Sequence, residues 1–146
     1  MKKLLVIFSV VFFALLLGGS TLQFAQSIPA DQGRHRMAIS LLRLINTAEA
    51  THRSKNGSFV AWKTLLSSHP EYFDKFLEIN GLQKANLHLA DAPEILPGWN
   101  LRLSVHPDAQ GYDALLRDTT DDKCGYATLT DENAIIRQSK AIDCEI

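Results

Sequence analysis

The chain has 146 residues, and the 119 that follow residue 27 suffice for one domain with a modest core but not for two. Hydrophobic residues make up 46% and charged residues 21%, a globular composition that excludes wholesale disorder. With 15 Lys and Arg against 16 Asp and Glu, no basic excess exists to neutralise a phosphate backbone, which argues against a nucleic-acid partner.

Met1-Lys2-Lys3 is a short basic start, and Leu4 to Leu17 is an apolar run of 14 residues interrupted by Ser9 alone. Gly18-Gly19-Ser20 breaks the run, and Ala25 and Ser27 supply small residues three and one before a cut after Ser27. This is the layout of a secretory signal peptide over 1–27, because the apolar core is shorter than the roughly 20 residues that a spanning helix needs. An uncleaved anchor would have to extend through Phe24, where Gly, Ser and Thr dilute the segment. The expected product is an exported domain over 28–146, periplasmic or extracellular, with membrane contact only if the first segment is retained.

From Arg34 to Lys55 the residues Met37, Ala38, Leu41, Leu42, Leu44, Ile45 and Ala48 recur at three- and four-residue spacing. Arg36, Arg43, Asn46, Glu49 and Arg53 largely fall on the other side, so the spacing predicts an amphipathic helix whose apolar face needs cover. Asn56-Gly57 ends it, since both residues tolerate the left-handed backbone just beyond a helix. Trp62 to Ser68 predicts a short helix, and Glu71 to Glu78 a second with Pro70 in its first turn; Asn80-Gly81 closes that piece. Phe59, Trp62, Tyr72, Phe73 and Phe76 cluster here and are expected to cap one end of the core, the alternative being an exposed apolar patch for a partner. Leu82 to Pro97 reads as a connecting loop with one short strand at Ala85 to Leu89.

Beyond Pro97-Gly98 the period becomes two. Trp99, Leu101, Leu103 and Val105 alternate with polar residues, and Tyr112 begins a return strand that ends at Arg117, with the turn at Asp108-Ala109-Gln110-Gly111. Gly125 to Thr130 and Ala134 to Gln138 form a further pair across Asp131-Glu132-Asn133. The expected fold class is α+β: a long helix packed on an antiparallel sheet of three or four strands.

Chemistry-bearing residues are few. Cys124 and Cys144 both lie in the last 23 residues, and an exported chain permits their oxidation to one disulfide closing a loop of 21 residues. The alternative, a nucleophilic Cys124 with a histidine base, has no local support. Asp118, Asp121 and Asp122 place three carboxylates within five residues. A hard-cation site, or the loop site of a small hydrolase or ligand-binding domain, would lie at Asp118 to Asp122, against a plain solvated loop. His35, His52, His69, His88 and His106 are spaced about 17 residues apart without companions at ligand spacing, and read as surface or packing residues. No phosphate loop, dinucleotide fingerprint or zinc-protease motif occurs, so no catalytic, metal or cofactor-binding residue is assigned.

The ordered set Leu42 to Glu49 (Leu-Arg-Leu-Ile-Asn-Thr-Ala-Glu), Asn56-Gly57-Ser58-Phe59, Leu65-Leu66, Pro97-Gly98-Trp99, Gly111-Tyr112, Tyr126-Ala127 and Thr130 to Arg137 resembles the globular part of bacterial type IV pilins and pseudopilins. The resemblance covers roughly residues 35–142. It implies a pilin-like head acting through protein contacts rather than catalysis. It also implies a cysteine pair near the C-terminus, met here by Cys124 and Cys144, and a calcium loop of the kind some pseudopilins carry between strands in this region. One departure stands out: Lys2-Lys3 runs directly into the apolar segment, with neither the prepilin cleavage glycine nor the acidic residue that follows it. Removal of 1–27 would leave a soluble head unable to join a filament core. Retention would make the chain an anchored pilin or pseudopilin subunit.

Overall fold

The computed structural model describes residues 30–82, 94–120 and 125–140. The expected signal segment, the expected strand at Ala85 to Leu89, His88, Asp121, Asp122, Cys124 and Cys144 all lie outside the described residues. Among the described residues no helix is long and apolar enough to cross a membrane.

Helix α1 spans Ala30–Asn56, with Asp31 in its first turn and Arg53 and Lys55 in its last, each charge opposed to the helix dipole. Gly57 ends it at φ 79°, donating its amide to the Arg53 carbonyl at 2.8 Å. Helices α2 (Trp62–Ser68) and α3 (Pro70–Ile79) follow, hinged at His69. The His69 amide bonds the Leu65 carbonyl at 3.0 Å, and Pro70 opens α3 where no intrahelical donor is needed.

The sheet is an antiparallel meander in the order β1-β2-β3-β4-β5. Its strands are β1 (Glu94–Leu96), β2 (Trp99–Val105), β3 (Tyr112–Asp118), β4 (Ala127–Asp131) and β5 (Arg137–Ser139). The central ladder runs from Trp99 opposite Asp118 to Val105 opposite Tyr112. The structure is therefore α+β as expected, but with five strands instead of three or four. The additional strand, β1, lies in the stretch expected to be loop. It is three residues long and carries no period of its own; the turn at Pro97-Gly98, with Gly98 at φ 76°, folds it onto β2. The last strand is shorter and later than expected. Ala134 adopts φ 60° and donates its amide to the Asp131 carbonyl, so the turn consumes residues that the pattern assigns to the strand.

Helix α1 lies on β3 and β4, while α2 and α3 pack chiefly on α1 and on each other. The core joins Ala38, Leu41, Leu42, Ile45 and Ala48 of α1 to Leu101, Ala114 and Leu116 of the sheet. Each such aliphatic side chain of Leu or Ile size contributes about 1.5–3 kcal/mol through removal from water. Phe59, Trp62, Phe73 and Phe76 are buried, as the size of the domain requires, and Tyr72 is half-buried.

One expectation about α1 fails. Asn46 and Glu49, assigned to the outer face, are buried at 8% and 0% exposure. The stripe is wider than the apolar residues alone define, because the sheet covers one flank of α1 and the α2–α3 hairpin the other.

Candidate functional site

Three polar constellations surround α1. At its start, Arg34 donates to Asp118 Oδ1 at 2.8 Å, and the same oxygen accepts the Thr120 amide at 2.8 Å and the Thr120 hydroxyl at 2.7 Å. The Arg34 guanidinium stands 5.7 Å from the Trp99 ring centroid, and His35 stacks on Tyr126 at 3.6 Å with Trp99 edge-on to both. Gly98 makes this approach feasible, since a Cβ there would lie 2.7 Å from the Thr120 methyl and 2.9 Å from the Arg34 guanidinium. Burial by itself would raise the Asp118 pKa, but the two Thr120 hydrogen bonds and Arg34 outweigh it and hold the carboxyl below its usual range. Asp118, the one described carboxylate of the expected cation loop, thus serves as a buried structural anchor.

At mid-helix a second constellation links α1 to the sheet. Tyr112 donates its hydroxyl to Asn46 Oδ1 at 2.6 Å, and Asn46 Nδ2 donates to Thr130 Oγ1 at 3.0 Å. Burial, then the carboxylates of Glu49, Asp131 and Glu132, push the Tyr112 phenol well above its ordinary value, so it remains a neutral donor. Above this chain opens a cleft of about 400 Å³ between α1 and the β4–β5 turn. Arg53, Ser54, Phe59, Glu132 and Ala134 form its rim, with Arg53 lying over the Phe59 ring at 4.8 Å. The cleft continues along Thr47, Thr51 and Lys55 as a second open groove of about 530 Å³. Its opposite charges and small side chains at Ala50, Ser54 and Ala134 suit a polar polypeptide surface better than an enclosed small molecule.

The third constellation lies between α1 and the α2–α3 hairpin. Glu49 Oε2 accepts the Val60 amide at 3.2 Å, while Oε1 has no partner. Burial raises this carboxyl from 4.5 to about 7, and the single backbone hydrogen bond offsets only part of the effect. One turn further on, His52 meets His69 edge-on at 5.6 Å; burial first, then the neighbouring imidazole, lower the His52 pKa. His52 Nδ1, His69 Nε2 and the Trp62 indole nitrogen are buried without a hydrogen-bond partner among the described residues.

Among the described residues no group of three His, Cys, Asp or Glu side chains is disposed to hold a metal ion. His106, the surface histidine of the hairpin end, pairs with Asp113 at 3.1 Å. The residues that sequence reasoning missed are Asn46, Glu49 and Arg53. The available signal was polar residues at three-residue steps (Asn46, Glu49, His52) running down the flank of an apolar stripe. Comparison with family models, with curated proteins and with solved structures yields no match to this chain.

Proposed function

We propose that this is an exported, non-enzymatic protein whose pilin-like head acts through protein–protein contacts in the cell envelope or at the surface. The observation that carries this reading is the open, charge-lined cleft along the second half of α1, between Arg53 and Glu132. Helix α1 presents this flank on a rigid support, held to the sheet at Arg34–Asp118 and at Asn46. The helix-then-meander order also accords with the resemblance to pilin heads drawn from the ordered motifs. The hydrolase reading gains nothing from Asp118, whose carboxylate is committed to Arg34 and Thr120.

Two measurements test the proposal. Intact mass from fractionated cells should give a species lacking the first 25 to 27 residues, alkylated at both cysteines only after reduction. A full-length, membrane-bound species would instead point to an anchored pilin or pseudopilin subunit. A photo-crosslinking residue at Ser54 or Ala134 should capture one discrete envelope protein, and one at exposed Arg102 on the outer sheet face should not. Equal capture at all three positions would count against the cleft.

A further inference from the structure

The α2–α3 hairpin is attached to the rest of the molecule in an unusual way. Its side chains Trp62, Leu65, Phe73 and Phe76 are buried where it packs on α1, and beside the Thr51–Tyr72 contact its polar neighbours are groups that titrate. Glu49 reaches the connector through Val60, and His52 meets His69 at the hinge between α2 and α3. All three side chains are more than nine-tenths buried, and each retains a polar atom without a partner. We propose that the α2–α3 hairpin is a proton-sensitive flap, docked most tightly on α1 while Glu49 carries its proton and loosened when Glu49 ionises. The proposal does not depend on the functional reading above, because its readout is a motion inside the chain.

Among the described residues no cation pairs with Glu49. On the sheet side the Tyr112 phenol feels the charge of Glu49 together with those of Asp131 and Glu132, so the sheet groups that share this neighbourhood are neutral or acidic. The connector contributes only the Val60 amide. Along α1 the nearest titratable groups are His52, whose charge burial disfavours, and exposed Arg53, whose guanidinium lies over Phe59. The hairpin adds His69, in contact with Glu71 at 3.5 Å, and Tyr72, whose hydroxyl lies 3.5 Å from Thr51. Its own charged residues, Lys63, Glu71, Asp74, Lys75 and Glu78, are exposed. An ionised Glu49 is therefore relieved by opening the flap to water rather than by pairing.

The direction follows from linkage. The docked form holds the Glu49 proton to about 7, and an opened form releases it near 4.5. Docking is then strongest below 4.5, weakens as pH rises, and levels off above about 7. The full effect corresponds to at most about a 300-fold change in the docking equilibrium, ten to the power of the difference between 7 and 4.5. His52 acts in the opposite sense, opposing docking as pH falls below its ordinary 6.5. A comparison in which His52 is common to both proteins cancels it.

The experiment is hydrogen exchange by mass spectrometry on the full chain and on Glu49→Gln from pH 4.5 to 8, corrected for base catalysis. Across 62–79, opening of the wild type relative to Glu49→Gln should increase with pH up to about 7 and then level. Peptides from β2 to β4 should show no such change. A flat ratio, or parallel loosening of the sheet, overturns the flap. If Glu49→Gln does not fold, a ¹³C titration of the Glu49 carboxyl in the wild type decides. A midpoint near 7 with exchange of 62–79 following it supports the flap, and a midpoint near 4.5 overturns it.

Discussion

The two ends of α1 are attached by opposite means. At Arg34 one carboxylate oxygen accepts from a guanidinium, an amide and a hydroxyl, beside three stacked and edge-on aromatic rings. At Glu49 and His52 the attachment buries titratable groups with too few partners. Both ends are packed with aromatic side chains, so packing does not distinguish them. The difference is electrostatic: the Asp118 carboxyl is held below its usual range, whereas burial brings the Glu49 carboxyl up to about 7.

Substitutions at each end sharpen this contrast. Trp99→Ala empties the centre of the first end, where Trp99 is 2% exposed, and should lower global stability by about 3–5 kcal/mol in denaturant unfolding. Glu49→Gln should act in the reverse direction. It should stabilise the chain by up to about 3 kcal/mol at pH 8 and by almost nothing below about pH 4, since its wild-type carboxyl rises from 4.5 to about 7 on folding. A loss of stability at both pH values would remove the distinction between the two ends.

Asp118→Asn should cost about 1–3 kcal/mol at neutral pH by weakening three hydrogen bonds to a charged carboxylate, one of them from a guanidinium. Because its folded pKa is depressed below 3.8, that contribution is present above 3.8 and fades only as pH falls through the lower folded value. The gap between wild type and Asp118→Asn should therefore narrow in acid, which thermal melts at pH 7 and at a series of values below 3.8 would check. The smallest effect expected is for Tyr112→Phe, about 1 kcal/mol with no pH dependence from 5 to 9, read from chemical unfolding. It leaves the Asn46–Thr130 bond in place and removes one neutral donor.

Much of the fold follows from local pattern. The helix from Arg34, the helices at Trp62 and Pro70, and the hairpin from Trp99 to Arg117 each have several turns or alternations in register, and the structure places them within a few residues of expectation. Elements of three residues do not announce themselves in this way. Strand β1 exists because Pro97-Gly98 turns it against β2, and β5 begins late because Ala134 extends the turn. The attachment sites were less legible still. Glu49 and Asn46 are polar residues at helical spacing, which on an isolated helix face water, and only a second flank of packing puts them inside.

Sequence by itself determined the α+β class, the apolar face of α1, the aromatic content of the core and the alternation of β2 and β3, because each depends on near neighbours and on the period of a single element. Tertiary structure alone decided the fifth strand, the anchoring role of Asp118 and the burial of Glu49, His52 and His69. Those outcomes depend on which surfaces meet. Asp118 and Arg34 are 84 residues apart along the chain, and no local periodicity encodes a charge pair formed across that separation.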